Sequence, residues 1–376
     1  RLLCGAHIVL DTPHFPGVLR LDHTRAPQAV WLQATPFGMQ GPRGHWQATD
    51  LGILAASGNL YATGFGDRAP VRCSEPAAYA HASAEAVFAA LSGLASGQPH
   101  CIDLSMAEAV MLANMGAPGQ FPRTGNRGRR MGAALGSTRE IWPCADGFVS
   151  FGLRGGPARA HNFAILLAQM NKAGIVAEAW VDRDWLTFNA AELDEDELEA
   201  IQQPLAQYFA MHSMTALYEL AVATNLMLAP ANSAAQILAS EQLAQRKFFS
   251  QQNDTDGLPA RFMICREADG SDDCDGTPAP NIGAGSAPDW TKLSPPGHAG
   301  ANQLPWQDLR LVEFGSGAAG PIASRYFVEQ GATVIKVESG KHPDFLRVMA
   351  SRGPHGLGDR DQFHHRERQG LAVALA

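Results

Sequence analysis

Three features that would direct a protein to membranes, nucleic acids or metal ions are missing from this sequence. Its longest uncharged apolar stretches, such as residues 221–235, are interrupted by Asn and Pro and fall short of the roughly 20 apolar residues that span a membrane. The net charge of −8 offers no basic surface for nucleic acid or anionic lipid. None of the six cysteines lies in a CxxC pair, which leaves neither a zinc motif nor a redox motif. We therefore expect no metal, no nucleic-acid partner, no membrane contact and a cytoplasmic location.

The beginning of the chain also lacks two features. It starts with Arg1 and not with Met. The first ten residues, RLLCGAHIVL, contain one basic residue followed by a strand-like run, and this is not the pattern of a signal peptide. We expect from this that the sequence begins inside a longer natural chain.

What the sequence contains is the composition of a folded α/β protein. Hydrophobic residues make up 45% and charged residues 18%, and 376 residues suffice for about two domains. Strand-like runs alternate with Ala-rich helical stretches up to residue 118, and residues 158–249 read as mostly helical. Within residues 1–118, the predicted strands are residues 7–10 and 29–34, and the predicted helices are residues 49–57, 82–94 and 105–114.

The sharpest local pattern lies near the end of the chain. Residues 309–314 (LRLVEF) predict a strand, GSGAAG follows, a helix runs from Pro321 to Gln330, and residues 332–337 (ATVIKV) predict a second strand before Glu338. A strand, a GxGxxG turn, a helix and an acid after the second strand are typical of a phosphate site at a helix N-terminus. Alternatively, the glycines only permit a tight strand-to-helix connection. Read alone, this unit also fits a nicotinamide-dependent oxidoreductase.

Several motifs together resemble family III of the coenzyme A transferases, which includes formyl-CoA and carnitine CoA-transferases and α-methylacyl-CoA racemase. The pattern AGP, helix, GAxVIKVE, DxxR corresponds to residues 318–347. Further matches are listed by segment: FGMQGP at 37–42 with Asp50 and Ser57-Gly58, Thr63-Gly64 with Pro70-Val71-Arg72, Ser96-Gly97-Gln98 with Asp103-Leu104-Ser105-Met106, Arg123-Thr124-Gly125-Asn126, and Cys144-Ala145-Asp146-Gly147. The matches are spread over most of the chain outside residues 251–305.

This resemblance implies an α/β fold with a Rossmann-like parallel sheet in a large domain, a smaller α+β domain, and an interlocked ring-like dimer or pseudo-dimer. It also implies a reaction that moves CoA between carboxylic acids. An Asp carboxylate attacks the acyl-CoA thioester and gives a mixed anhydride and then an enzyme thioester, which conserves the thioester energy. The implied ligands are coenzyme A or acyl-CoA as substrate and a carboxylic acid. The implied protein partner is a second copy or a homologous CoA-transferase unit.

The motifs stand in an unusual order, because the AGP…VIKVE unit opens the family's sequences and closes this one. The chain is therefore either the middle of a tandem protein, which we favour, or a circular permutant. In both cases the tail and the head form one unit. The predicted organisation is the second part of a large domain at 1–118, a small domain at 119–224, a returning helical segment at 225–250, a linker at 251–305, and the Rossmann-like first part of the same or the next large domain at 306–376.

One departure from the family affects the chemistry. The nucleophilic Asp of the family ends a motif of the form PxRxGxPxAD. The corresponding position in this sequence is Tyr79. A phenol with a pKa of ~10 does not replace a carboxylate as an acyl carrier. The nearest alternative groups are Glu75 and His81, although residues in such a place at the start of an Ala-rich helix are more often helix caps or surface residues. The catalytic residue is thus left open.

The candidate CoA-binding residues follow from the resemblance alone. They lie in the strand-to-helix turn, after the second strand, in a basic pair near the end, and in a segment corresponding to ENFRPG. They are Ser316, Gly317, Ala318, Ala319, Glu338, Ser339, Arg347, Arg366, Arg368, His14 and Phe15. The Arg-rich segment 127–132 corresponds to the family's small-domain glycine loop, or else is an exposed basic turn.

Three functions remain open at this point. The first is a CoA-transferase whose Asp comes from a partner unit, the second a non-catalytic acyl-CoA-binding subunit of the same fold, and the third a nicotinamide-dependent oxidoreductase.

Overall fold

The structure is a computed structural model that describes residues 3–13, 21–114, 121–122, 125, 127–135, 137–156, 159–249, 259, 304–317, 319–338 and 344. The chain divides into two units by its internal contacts. The first unit comprises Arg1–Arg130 and Ser286–Ala376, and the second comprises Met131–Gly285. No helix within the described ranges is long and apolar enough to cross a lipid bilayer.

A parallel sheet with the strand order β1-β2-β3 organises the first part of the first unit. The elements are β1 (Ile8–Asp11), β2 (Val30–Thr35), α1 (Asp50–Ala56), α2 (Asn59–Ala62), α3 (Ala77–Ala95), β3 (His100–Ser105) and α4 (Met106–Met111). Single 3-10 turns occupy Leu3–Gly5, His23–Arg25 and Leu112–Asn114. The register pairs Ile8 with Val30, and Val30 with His100. Because β-branched and aromatic side chains suit a buried pleated surface, IVL and VWL form the first two strands.

Helix α3 is the element on which the rest of this unit packs. It is rich in alanine, a strong helix former, and Ala78 and Ala82 join Ile53, Met106 and Val110 in one core cluster. At the other end of α3, a Cβ added to Gly93 would lie 2.8 Å from Cγ1 of Val30, so the helix approaches β2 closely. The opposite face of α3 is not core, since Val87 and Leu91 are exposed.

The second unit has its own aromatic core. Its elements are β4 (Ala134–Leu135), β5 (Thr138–Arg139), β6 (Ile141–Cys144), β7 (Gly147–Ser150), α5 (Ala160–Lys172), α6 (Glu195–Ala210), α7 (Met214–Thr224), β8 (Ala229–Pro230), α8 (Ala234–Leu238) and α9 (Glu241–Gln245), with 3-10 turns at Glu178–Trp180 and Ala190–Glu192. Strands β6, β7 and β8 form an antiparallel sheet. The indole of Trp142 is fully buried and donates to the carbonyl of Phe151 at 2.8 Å, so the largest core side chain leaves no polar atom unsatisfied.

The CADG segment of the second unit, residues 144–147, fixes the beginning of α7. Asp146 lies in the turn between β6 and β7, and its carboxylate accepts the backbone N–H of Met214 at 2.7 Å. The hydroxyl of Ser213 accepts the N–H of Ala216 at the same helix end. Together they satisfy donors that the first turn of α7 leaves open. Helix α7 therefore begins at Met214, with Ser213 as its N-cap.

A β-α-β segment near the end of the chain belongs to the first unit. Its elements are β9 (Arg310–Glu313), α10 (Ala319–Glu329) and β10 (Thr333–Lys336), and the two strands pair in parallel. The segment packs on α3, since the indole of Trp306 donates to the hydroxyl of Ser92 at 3.3 Å. The phenol of Tyr326 donates to the Glu85 carboxylate, and the ring of Phe88 lies 5.0 Å from the Tyr326 ring.

The strand-to-helix turn of this segment rests on a buried ionic network. The ammonium of Lys336 lies 2.9 Å from a carboxylate oxygen of Glu313, 2.9 Å from one of Asp344 and 2.9 Å from the carbonyl of Gly315. The hydroxyl of Ser324 donates to the second oxygen of Glu313. Burial alone would lower the pKa of Lys336, but the hydrogen bonds and charges of the two carboxylates outweigh it, so the pKa lies above its ordinary value.

Replacing Lys336 with Met should open the β9-α10-β10 segment. The variant leaves Glu313 and Asp344 as buried, unpaired carboxylates, which costs about 3–5 kcal/mol. Hydrogen exchange followed by mass spectrometry should therefore show lower protection in β9 and β10. Arg68→Met is the matched control, because the pair of Arg68 with Asp67 is exposed and such pairs contribute about 0–1 kcal/mol. Equal losses of protection in both variants would contradict a stabilising network.

The same network has a defined pH dependence. A lysine whose pKa is raised by folding contributes stability that is fully present below its unfolded pKa and is lost as the pH rises through its folded pKa. The difference in protection between wild type and Lys336→Met should stay constant through neutral pH and decrease only above about pH 10.5. A decrease between neutral pH and pH 9 would show that another group controls the segment.

Candidate functional site

The turn after β2 is attached to the end of β3 by a carboxylate. Both oxygens of Asp103 accept the backbone N–H of Met39, each at 2.9 Å. Gly38 precedes Met39 with φ of +84°, a conformation that disfavours side chains, and an added Cβ would lie 3.6 Å from the Asp103 carboxylate. The FGMQGP segment and the segment that contains Asp103 are distant in the sequence, and this bond brings them together at the carboxyl ends of two parallel strands.

A second carboxylate fixes the beginning of α3. One oxygen of Asp50, the first residue of α1, accepts the N–H groups of Ala78 at 2.8 Å and of Tyr79 at 3.2 Å. The N-cap residue, Pro76, makes no side-chain capping bond, so Asp50 supplies what the first turn needs. It follows that Asp50 determines where Tyr79 lies.

A cavity of about 590 Å³ opens between the sheet and α3. Its walls come from the ends of β1 and β2, the first half of α3 and the start of α4. They are lined by Leu10, Asp11, Thr12, Leu32, Ala34, Tyr79, Ala82, Ser83, Ala86 and Met106. The cavity has the size of a small-molecule site, and the carboxyl ends of parallel strands are where α/β proteins bind ligands.

The structure separates the three candidates for the catalytic position. Tyr79 is half-buried and lines the cavity. Glu75 and His81 are exposed and are not among the lining residues. Asp11, the last residue of β1, borders the cavity and is only 5% exposed. Because side chains alternate along a strand, its carboxylate lies on the face opposite Leu10, where it accepts a 3.4 Å hydrogen bond from Gln33.

The residues of the GSGAAG turn and its neighbours have partners within the chain. The N–H of Gly317 donates to the Asp344 carboxylate at 2.9 Å, and the N–H of Asp344 donates to the Glu338 carboxylate at 2.9 Å. Gly315 and Gly320 approach so closely that a Cβ on either would lie 2.9 Å from the other's Cα. The two glycines are thus required by the tight strand-to-helix connection. The phosphate contact of this turn stays a prediction.

The other predicted CoA contacts divide into described and undescribed residues. Ser316 is exposed at the turn, and Ala319 is the exposed first residue of α10. The remaining candidates lie outside the described residues: His14, Phe15, Ala318, Ser339, Arg347, Arg366 and Arg368.

The Arg-rich segment is partly used for structure. The guanidinium of Arg130 donates to the carbonyls of Tyr61 and Phe65, both at 3.1 Å, and lies over the Tyr61 ring. Arg127 and Arg129 are exposed. Within the described parts of the chain, no group of three or more His, Cys, Asp or Glu side chains is arranged to hold a metal ion.

Comparison with solved structures shows the same fold in related proteins. A CaiB/BaiF family protein of Brucella suis superimposes with a TM-score of 0.57 and 19% identity over 73% of this chain and 72% of that one. A protein of Mycobacterium tuberculosis superimposes with a TM-score of 0.52 and 18% identity over 71% of this chain and 72% of that one. The likeness confirms a mixed α/β fold with a parallel sheet.

Sequence comparison identifies two curated relatives. A probable CoA-transferase of Mycobacterium tuberculosis is 29% identical over 374 residues, which is 92% of this chain and 44% of the relative. A subunit of the succinyl-CoA:(R)-benzylsuccinate CoA-transferase of Thauera aromatica is 28% identical over 277 residues, which is 70% of this chain and 66% of the relative. The chain therefore spans about half the length of the first relative and about two thirds of the second.

The family model described as CoA-transferase family III matches residues 21–285 and 306–376. The unmatched residues between the two segments, 286–305, are the last part of the linker predicted at 251–305, whereas the family model also matches residues 251–285. The matched residues include β2, β3 and the helices α1 to α4, the whole second unit and the β9-α10-β10 segment, whereas β1 precedes them. Because the match extends over most of the sequence, the chain belongs to family III of the CoA-transferases.

Proposed function

We propose that this protein is an acyl-CoA-dependent CoA-transferase, which moves CoA from an acyl-CoA to a carboxylic acid. The observation that carries the proposal is the cavity at the carboxyl edge of the parallel sheet. Its walls are mostly apolar, Tyr79 is among its lining residues, and Asp50 and Asp103 of the family motifs fix the elements around it. Family membership and the names of both curated relatives support the same reaction class.

The chemistry of CoA transfer requires a carboxylate in a site that excludes water. The carboxylate attacks the thioester carbonyl and expels CoA as a thiolate, which leaves a mixed anhydride. The thiolate then attacks the enzyme's own carbonyl of the anhydride, so that the first acid leaves and an enzyme thioester remains. The second acid reverses these steps. Apolar walls such as Leu32 and Met106 suit this sequence because water would hydrolyse the anhydride.

We further propose that the first unit is Rossmann-like and holds the CoA moiety near the GSGAAG turn and the basic residues that follow. Cytoplasmic location is part of the proposal. It is supported by the free thiols of Cys73, Cys101 and Cys144 among the described residues. We also propose that the chain is part of a tandem protein. One alignment supports this, because it covers 92% of this chain but only 44% of a much longer relative. Succinyl-CoA and an aryl-substituted succinate are the first substrates to test, since one relative is named for such a pair.

Ligand selectivity tests the assignment directly. Isothermal titration calorimetry should show saturable binding of CoA and acetyl-CoA and no binding of NAD. Lys336→Met is the informative variant, because opening the β9-α10-β10 segment should weaken CoA binding, whereas Arg68→Met should not. Saturable binding of NAD without binding of CoA would replace the transferase assignment with a nicotinamide-dependent one.

A non-catalytic acyl-CoA-binding unit is the second candidate function, and one observation favours it. The position that matches the family's nucleophile is Tyr79, and neither Glu75 nor His81 is among the residues that line the cavity. In that case a homologous unit would supply the Asp, and it is relevant that one relative is named as a subunit. Transfer of label from an isotopically labelled acid into acyl-CoA separates the candidates, because a binding unit alone produces none.

The open face of the β9-β10 sheet supports self-association or pairing with a homologous unit. Val312, Phe314 and Ile335 are 57%, 80% and 38% exposed, whereas Glu313 and Lys336 on the other face are buried. Parallel sheets are normally covered on both faces, and an exposed apolar patch of this kind is typical of an interface. We propose that a second unit covers it in an intertwined dimer or pseudo-dimer.

Charge placed on this face should weaken the association. Light scattering of wild type should give at least twice the mass of one chain. Phe314→Lys should raise the dissociation constant at least about tenfold, since burying a lysine costs more than ~1.4 kcal/mol. Val176→Lys is the control, because Val176 is 74% exposed in the second unit. A monomeric wild type, or equal effects of the two variants, would contradict the proposal.

A further inference from the structure

The cavity lies where the first half of α3 stands away from the sheet. In the second half of the helix, Gly93 meets β2 so closely that an added Cβ would lie 2.8 Å from Cγ1 of Val30. Because side chains alternate along a strand, Leu32 and Ala34 lie on the same sheet face as Val30, and both line the cavity. The fold therefore holds a space of about 590 Å³ open between this face and the beginning of α3.

The residues of α3 that line the cavity have the spacing of one helix face. Tyr79, Ala82, Ser83 and Ala86 follow one another at i, i+3, i+4 and i+7. Two of these four residues are alanines, and Ala34 lines the cavity from the sheet. Because alanine carries only a methyl group, Ala82 and Ala86 keep the space open where a leucine at either position would fill it.

The cavity has an apolar floor and an open mouth. Leu32, Ala82 and Met106 form the floor, and they are only 1%, 3% and 6% exposed. Leu10 at the edge of the sheet is 67% exposed and marks the mouth. Methionine has a flexible and polarisable side chain, so Met106 can adapt the floor to apolar groups of different shape.

No charged side chain faces this space among the described lining residues. The carboxylate of Asp11 lies on the opposite face of the sheet, where Gln33 donates to it. The hydroxyl of Ser83 donates to the carbonyl of Tyr79 at 2.8 Å and is thus used within the helix. Burying a carboxylate without a partner is costly, so a carboxylic acid or its thioester enters this cavity with the hydrocarbon part first.

We propose that the cavity receives the hydrocarbon part of the acyl group, and that one of the two carboxylic acids of the reaction carries a bulky apolar group, such as an aryl or branched alkyl group. Ala82 and Ala86 set the upper limit on the size of that group. The inference rests on the proposed CoA-transfer function and names a substrate class for it.

The volume of the cavity supports a group of this size. A closed apolar cavity of about 150 Å³ is large enough to take up benzene. A space of about 590 Å³ has room for an aromatic ring together with the chain that carries it. An acetyl group would leave most of the apolar floor without a partner, and a succinyl group would bring a carboxylate to it.

The first test compares acyl-CoA ligands by calorimetry with the whole protein. Phenylacetyl-CoA should bind at least about tenfold more tightly than acetyl-CoA, because its ring leaves water for an apolar site. Succinyl-CoA should gain no affinity over acetyl-CoA, because its acyl group ends in a charge that the floor does not pair. Photolabelling with 4-azidophenylacetyl-CoA, followed by peptide mass spectrometry, should modify residues 79–86 or Met106.

Filling the cavity should remove the preference for the aryl group. Ala82→Leu and Ala86→Leu should each lower the affinity for phenylacetyl-CoA at least about tenfold and leave that for acetyl-CoA within about twofold. Retained binding of acetyl-CoA shows that the variant is folded. Ala80→Leu and Ala84→Leu are the matched controls, because Ala80 and Ala84 are exposed on the same helix and outside the cavity lining, and both should behave like wild type.

The outcomes separate this inference from the proposed function. Equal affinities for phenylacetyl-CoA and acetyl-CoA in wild type, or a preference that persists in both filled variants, would overturn the inference and leave CoA transfer in place. Equal losses in the filled variants and in the controls would also overturn it. If no CoA ester binds, the proposed function fails. Free phenylacetate then decides the inference, which stands if phenylacetate binds wild type and not Ala86→Leu, and fails otherwise.

Discussion

The carboxylate of Asp50 satisfies the first N–H groups of α3, and most of the first unit depends on where that helix begins. Helix α3 contacts the sheet, α1, α4 and the β9-α10-β10 segment, and so joins parts of the chain that lie far apart in the sequence. Bonds of a carboxylate to backbone N–H groups recur at Asp103 and Asp146. Charge-assisted bonds of this kind are stronger than neutral ones, so a few aspartates position loops that have little hydrophobic surface of their own.

This use of aspartate explains which parts of the fold could be predicted from the sequence. Where the sequence carries a local signal, the predicted and observed elements agree closely. Residues 309–314 and 332–337 predict strands, and the structure has strands at Arg310–Glu313 and Thr333–Lys336. Helix α3 begins at Ala77, five residues before the predicted start, because its cap comes from Asp50 and no capping residue precedes it. Strand β3 was missed because most of its side chains are not buried, which removes the alternating pattern.

The candidate site was less predictable than the fold for the same physical reason. Motif positions identify residues that have a family counterpart, and they led to Tyr79. The cavity beside Tyr79 has no local sequence pattern, because it forms only where the ends of β1 and β2 meet the first half of α3. The GxGxxG motif likewise predicts a phosphate contact. In the structure, Gly315 and Gly320 are needed because their backbones approach each other closely, and the N–H of Gly317 donates to Asp344.

The carboxylates of the first unit therefore perform two different structural tasks. Asp50 and Asp103 accept backbone N–H groups at the start of α3 and in the turn after β2, and neither is among the cavity's lining residues. Glu313 and Asp344 share the buried ammonium of Lys336 beneath the strand-to-helix turn. Because charge-assisted bonds of both kinds act over one or two residues, they can fix the ends of helices and strands around the cavity while its walls stay mostly apolar.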